Sequence, residues 1–169
     1  MPSPAAGGAG RPRWVQRLDS LSEGSNRVAE GALALATATM LAVVLLQVLF
    51  RYVIQTSLSW SEELARYAFV WAIFLGASAA TRRGQHIVMG AVVSLLPPRL
   101  QRGLAVLGAL VFAGFAALLV GLGVILMHAA RFQISTALQI PISWVYAALP
   151  VGAALCLLHL LAGLLRGRP

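Results

Sequence analysis

The stretch of this sequence best equipped for chemistry is residues 59–67, which read SWSEELARY. It places two adjacent carboxylates, Glu62 and Glu63, just before the guanidinium of Arg66 in an otherwise apolar region. Ionisable groups inside a membrane span mark ion or substrate pathways, so this pair is a candidate for binding a coupling cation. The same residues also suit a purely structural role. Ser59 and Glu62 fit the capping box S-x-x-E, and carboxylates in a first turn are stabilised by the helix dipole.

Charge pairing favours the structural interpretation of these acids. Glu62 lies four residues before Arg66 and Glu63 lies three before it, and both spacings bring side chains together on a helix. Two carboxylates are more than a cap requires. One of them is therefore also a candidate to pair with Arg51, or to face another subunit. The pattern predicts a capped, charge-paired helix start rather than an ion ligand.

The three histidines, His86, His128 and His159, permit a second chemistry, because two histidines on facing helices can ligate a haem. Their spacing favours interfacial or packed histidines instead. Cys156 is the only cysteine, which excludes an intramolecular disulfide, and we expect it to pack as a small apolar side chain. The sequence contains no phosphate loop, nucleophile–base set or metal-ligand cluster. We therefore predict no enzyme activity, no cofactor and no metal site.

Composition identifies the environment in which these residues work. Of 169 residues, 59% are apolar and 11% are charged, whereas soluble domains average about 45–50% and about 25%. These values predict an integral membrane protein. The net charge of +8 comes from 13 basic residues, all arginine, which cluster beside apolar segments. That placement is typical of membrane topology and argues against nucleic-acid binding.

Four apolar segments are long enough to cross a membrane, which takes about 20 residues. The first exceeds the apolar core of a signal peptide, so we interpret it as an uncleaved first helix. The predicted spans cover residues 28–52, 61–80, 104–128 and 144–165 of a membrane domain over 28–165.

Arginine placement orients these spans. Ten arginines fall on one side, and three (Arg51, Arg66 and Arg131) fall near span ends on the other. The positive-inside rule then predicts that both termini are cytoplasmic. Trp60 and Trp144 lie near the outer ends of the second and fourth spans, where amphipathic rings favour the interface.

Interfacial arm helices complete the predicted all-α membrane fold. Residues 84–97, which include His86 and end at Pro97, are too short to cross and suit a helix lying along the membrane. Residues 1–27 form a cytoplasmic segment that can hold a second arm helix, and 166–169 form a cytoplasmic tail. Pro150 predicts a kink in the fourth span, and Gly76 permits close helix approach.

A short internal repeat links the two connections on the outer side. RYVIQTSLSW, starting at Arg51, and RFQISTALQIPISW, starting at Arg131, share Arg, an aromatic residue, Ile, Thr and Leu in order and end in Ser-Trp. Each follows an odd-numbered span and precedes an even one. The pattern is typical either of a duplicated helical hairpin, as in a parallel repeat, or of convergent loop chemistry.

No acid lies in the central turns of any predicted span. A proton- or sodium-coupled carrier usually requires a membrane-embedded carboxylate or a broken-helix site, so the sequence disfavours an autonomous small transporter. A haem- or quinone-binding anchor of a redox complex remains the alternative from another class.

The order of several motifs between residues 49 and 152 resembles the small membrane subunit, of the DctQ type, of tripartite ATP-independent periplasmic (TRAP) transporters. The matching residues are Arg51-Tyr52, Trp60, Glu62-Glu63, Trp71, Phe74-Leu75-Gly76, His86-Ile87, Leu96-Pro97, Leu138, Ile140-Pro141, Tyr146, Leu149-Pro150 and Gly152. Gly90 departs from the pattern, because many members carry an acid there.

The resemblance implies four spans with interfacial arms and cytoplasmic termini, in the bacterial inner membrane. It implies two protein partners: a large multi-span permease subunit that carries substrate and sodium, and a periplasmic substrate-binding protein. The substrate is then an organic acid, such as a carboxylate or sialic acid. This chain is expected to be a non-catalytic scaffold that also contacts membrane lipid. The matched residues are expected to be structural or to lie at interfaces.

Overall fold

The computed structural model of the chain describes residues 13–83 and 97–165. These ranges are helical, apart from short connections and one isolated bridge. The helices are α1 (Arg13–Leu49), α2 (Ser59–Arg82), α3 (Pro98–Ala129), α4 (Ser143–Tyr146) and α5 (Ala148–Leu165). A π-helical turn, Phe50–Ile54, follows α1, and a 3-10 turn, Ala130–Phe132, follows α3.

Four stretches are long and apolar enough to cross a membrane: Ser20–Ile54, Ser59–Arg82, Gly103–Phe132 and Ser143–Leu164. An all-α chain with four helices of membrane-spanning length and composition is thus confirmed for the part that the structure describes. The predicted interfacial helix falls mostly on residues 84–96, outside the described residues. Its His86 and the departure at Gly90 lie there too.

The first helix differs from the prediction at its start. α1 is one unbroken helix of 37 residues, so the described part of the predicted arm is continuous with the first span. At 1.5 Å per residue such a helix is about 55 Å long, well beyond the roughly 30 Å of hydrocarbon. The sequence has no proline between Arg13 and Leu49, and so nothing forces a break where apolar residues take over.

The fourth span, where a kink was predicted at Pro150, is interrupted at Ala147. α4 ends at Tyr146 and α5 begins at Ala148, with Pro150 in its first turn. Proline has no N–H to donate to the carbonyl of Tyr146. The chain stays close to helical across the junction, because the N–H of Val151 donates to the carbonyl of Ala147 at 3.2 Å.

The helices form an uneven bundle. α1 packs chiefly on α2, whereas α5 packs on both α2 and α3 and also touches α1. Two glycines permit the closest approaches. A Cβ on Gly152 would lie 2.6 Å from Phe74 Cβ, and one on Gly123 would lie 2.7 Å from Pro150 Cδ. Gly76 is less crowded, since its Cβ would lie 3.7 Å from Leu33 Cδ1. Close packing through small residues is typical of membrane helices.

Candidate functional site

The connection between α3 and α4 is folded rather than extended. Ile134 and Pro141 form an isolated antiparallel bridge. The N–H of Ser135 donates to the carbonyl of Ile140 at 2.9 Å, and the N–H of Ile142 donates to that of Gln133, also at 2.9 Å. Two backbone bonds therefore close a short hairpin.

Glu63 fastens this hairpin to α2. Its Oε2 accepts hydrogen bonds from the consecutive backbone N–H groups of Ala137, at 3.0 Å, and Leu138, at 2.9 Å. Its Oε1 accepts from the hydroxyl of Tyr67 at 2.8 Å. Ser135 is buried, and its Oγ accepts from the N–H of Leu138 at 3.2 Å. We call these five residues the Glu63 corner.

Hydrogen bonds to an ionised acceptor are shorter and stronger than neutral ones, so the carboxylate is a good anchor for two adjacent amides. Both amides are part-buried, and buried backbone N–H groups require an acceptor. The Glu63 corner satisfies two such amides and positions one connection relative to a helix start.

The partners predicted for the acids are not those found. Among the described residues, neither Glu62 nor Glu63 forms an ion pair with Arg51 or Arg66, and Glu62 is exposed. Sequence spacing identifies neighbours on one helix. Sequence spacing cannot indicate a contact with backbone amides about 75 residues away. The one sign of a further partner was that two carboxylates are more than a cap requires.

The predicted capping box is also wrong. Leu58 occupies the N-cap position of α2 and makes no side-chain cap hydrogen bond, and Ser59 is already helical. Ser61 is fully buried instead, and its hydroxyl donates to the carbonyl of Leu58 at 2.7 Å. The helix begins one residue earlier than the box requires, so Ser59 is its first helical residue and its hydroxyl cannot cap the first turn.

The remaining predicted residues are spread over the molecule. Arg51 and Tyr52 lie in the π-helical turn and are exposed, and Trp60 is half-exposed at the start of α2. Trp71 lines an apolar groove of about 370 Å³ between α1 and α2, beside Tyr67. Others lie at element boundaries: Pro141 in the bridge and Pro97 at the N-cap of α3.

A second polar cluster lies at the opposite end of the bundle. Ser22 Oγ and His159 Nδ1 are 2.9 Å apart and buried, and Arg82 donates to the carbonyl of Ser22. Arg82 also lies 3.6 Å from Glu23, and Arg83 forms an ion pair with Glu30 at 2.9 Å. These contacts join the first part of α1, the end of α2 and the end of α5.

Two predictions about apolar packing can be checked here. His159 is buried and packed, and Cys156 is buried with its sulfur 3.6 Å from the Thr81 hydroxyl. His128 lies at the last turn of α3, at the other end of the bundle from His159. Within residues 13–83 and 97–165 there is no group of three or more His, Cys, Asp or Glu that could hold a metal ion.

The fold and its two polar ends define a small multi-pass membrane protein whose described charged groups lie near the ends of its spans. The family model for the DctQ component of tripartite ATP-independent periplasmic transporters matches residues 40–168. Because that match covers well over half of the chain, the chain belongs to this family of transport components. The family predicted from the order of motifs is thereby confirmed.

Individual relatives support the assignment. The sialic acid TRAP transporter small permease protein SiaQ of Vibrio cholerae is 33% identical over 122 residues, covering 68% of this chain and 66% of that protein. The sialic acid TRAP transporter permease protein SiaT of Haemophilus influenzae is 32% identical over 113 residues, covering 67% of this chain but 18% of that protein.

A more distant relative is the C4-dicarboxylate TRAP transporter small permease protein DctQ of Vibrio cholerae, at 24% identity over 106 residues, 63% of this chain and 44% of that protein. The chain thus spans between 18% and 66% of the length of these three relatives. By name they are transporter components, and they give no support to the alternative of a redox-complex anchor.

Proposed function

We propose that this chain is the small, non-catalytic scaffold subunit of a sodium-coupled, binding-protein-dependent importer of organic acids in the bacterial inner membrane. The observation that carries the proposal is the match to the DctQ component over residues 40–168, which includes most of the membrane region. The names of the relatives, which mention sialic acid and C4-dicarboxylates, suggest carboxylate substrates.

The disposition of the carboxylates supports a scaffold rather than a carrier. Glu23 and Glu30 are engaged by Arg82 and Arg83 near one end of the bundle. Glu63 is engaged by the hairpin at the other. Acids held in this way fix helix ends to one another, whereas a coupling-ion site requires carboxylate oxygens free to coordinate the ion.

The proposed partners are a large multi-span permease subunit and a periplasmic substrate-binding protein. One relative is named isethionate TRAP transporter permease protein DctMQ, and this chain covers 22% of it, which suggests that a DctQ-like part can share a polypeptide with a larger permease. Large apolar side chains on α1 and α3 are exposed, including Leu45 and Val111, and would contact the permease and lipid.

The proposed topology places both termini in the cytoplasm, so the Glu63 corner faces the periplasm. Support comes from the arginines, ten of which fall with the chain termini and the connection after α2. Cys156 is the only cysteine and is buried, so a Cys156→Ser chain is a clean background for labelling. We expect Gln139→Cys to react with a membrane-impermeant thiol reagent in intact cells, and Arg27→Cys to react only after lysis. The reverse pattern would contradict the topology.

Reconstitution tests the transport role. This chain alone in proteoliposomes should move no organic acid, whereas the chain with its large permease, a sodium gradient and the loaded binding protein should. Replacing sodium by potassium should abolish that uptake. Uptake by the isolated chain, or full uptake by the permease without this chain, would overturn the proposal.

A further inference from the structure

A cavity of about 400 Å³ opens where the end of α3 meets the start of α4. Its walls are Met127, His128, Arg131, Ser143, Trp144 and Ala147. It lies at the same end of the bundle as the Glu63 corner and shares no lining residue with it. Neither the scaffold role nor the corner uses it.

The depth of the cavity is set by the spans that form it. One candidate span ends at Phe132 and the next begins at Ser143, so the cavity lies where the hydrocarbon meets the headgroups. The Trp144 side chain is 68% exposed, and indole rings are enriched at this level of a membrane. A ligand at that depth meets water on one side and acyl chains on the other.

The cavity carries the positive charge of Arg131, which forms no ion pair with any carboxylate of the described residues. The Arg131 guanidinium lies 4.5 Å from the centre of the Phe132 ring, and no carboxylate of the described ranges is within ion-pair distance of it. The two acids at this end are Glu62 and Glu63, and Glu63 is occupied by the hairpin.

The donor set matches a phosphate group. A guanidinium presents paired N–H groups that fit two phosphate oxygens at once. The indole N–H, the Ser143 hydroxyl and the His128 ring add further donors. Met127 and Ala147 give the cavity an apolar part, which suits the glycerol and first methylenes attached to that phosphate.

We propose that this cavity binds the phosphodiester of a membrane glycerophospholipid, with Arg131 holding the phosphate and Trp144 packing beside the glycerol. The site fixes one lipid against the junction of α3 and α4. Because such lipids are present at this depth at very high local concentration, the membrane itself supplies the ligand.

The test is native mass spectrometry of the full chain in detergent with added phosphatidylglycerol and, separately, phosphatidylethanolamine. We expect one retained lipid per chain, with retention about tenfold weaker in Arg131→Gln, because one charge-assisted bidentate contact is lost. Arg66→Gln removes an exposed arginine of α2 at the same end and is the matched control, so its lipid retention should equal that of the unmodified chain.

Two further arms identify the source of the phosphate and guard against misfolding. Inorganic phosphate at millimolar concentration should not displace the lipid; if phosphate binds and neither lipid does, the lipid assignment is wrong. Arg131→Lys keeps the charge without the planar fork and should give intermediate retention. Equal lipid retention by the unmodified chain and by the folded Arg131 variants would overturn the proposal, as would an equal loss in Arg66→Gln.

Discussion

The two connections at the Glu63 end of the bundle share a sequence pattern but not a structure. The π-helical turn that contains Arg51 is ended by Gln55, which has φ 56°. The N–H groups of Gln55 and Thr56 both donate back to the Phe50 carbonyl. In the second connection, Arg131 lies in a single 3-10 turn, which is followed by a hairpin in which Gln139 has φ 55°. A glutamine with positive φ therefore ends a helix in one copy and lies in a hairpin in the other.

The difference comes from four additional residues. The first connection passes directly from Leu58 to Ser59, whereas residues 139–142 separate Leu138 from Ser143 in the second. That extra length lets the chain double back and present two amides to Glu63. Arg51 and Arg131 each line a cavity. The cavity at Arg131 includes Trp144, whereas the one at Arg51 is lined by Gln47, Gln55 and hydroxyl residues and has no tryptophan. The repeat therefore fixes where the connections begin and end, and length determines what they contact.

Deleting residues 139–142 should remove the structural difference between the two connections. We expect it to have the largest effect on the free energy of unfolding. The deletion removes both hairpin hydrogen bonds, at about 1 kcal/mol each, and the packing of Ile140, so we expect a loss of roughly 3 kcal/mol in unfolding free energy. Thermal unfolding in detergent measures it. Replacing the four residues by Gly-Ser-Gly-Ser keeps the length and should lose less. Equal losses would mean that sequence, not length, forms the hairpin.

Crowding the contact between α5 and α2 should have the next largest effect. In Gly152→Ala the new methyl meets Phe74 of α2, and overpacking of this kind costs about 1–3 kcal/mol. Gly114→Ala is the control, because nothing lies within 4 Å of its new methyl, and it should be neutral or slightly stabilising. Denaturant titration in mixed micelles compares them, and matching results would refute close contact between α2 and α5.

Glu63→Gln tests the contact that sets the second connection apart. A neutral amide is a weaker acceptor than a carboxylate, so protection of the Ala137 and Leu138 amides from hydrogen exchange should fall about tenfold. Glu62→Gln changes an exposed neighbour and should leave this protection unaltered. If the Glu63 change also weakens co-purification with the large permease, the corner shapes a surface that the partner contacts. Unchanged exchange would show that the hairpin holds itself.

The smallest expected effect on the free energy of unfolding is the difference between replacing Gln55 and replacing Gln139 by glycine. Glycine at either position relieves a strained backbone of about 1 kcal/mol but adds flexibility that costs about 0.5–1 kcal/mol. Gln139 also donates its side-chain N–H to the Thr136 carbonyl at 3.0 Å, a bond that glycine loses. Gln55→Gly should therefore be the more stable of the two by about 0.5–1 kcal/mol in the same unfolding assay. The reverse order would mean that the Gln139 bond contributes nothing.

The features that can be predicted from the sequence are those set by hydropathy and by the order of nearby residues. Contacts between distant segments could not be predicted. Long apolar runs locate four helices because lipid requires them, and motif order identifies the family. Two of the partners of Glu63 are backbone amides, which almost any residue provides. The side chains of residues 137–138 therefore give no sign of these hydrogen bonds. Ser59 and Glu62 fit the capping-box pattern, but they do not form the box because Leu58, one residue earlier, is the N-cap. Gly152 stands in the motif, yet only packing against Phe74 explains it.

The hydrogen bond between Ser22 and His159 can form only late in the synthesis and membrane insertion of the chain. The two side chains are 137 residues apart in the chain, the first near the start of α1 and the second near the end of α5. A ribosome releases the first long before the second, so this end of the bundle stays open while the intervening helices enter the membrane. The contacts of Arg82 and Arg83 with α1 can form once α2 is in place, whereas the Ser22–His159 bond forms only when α5 arrives. Closure of this end of the bundle thus comes after the pairing of α1 with α2 and waits for the synthesis of α5.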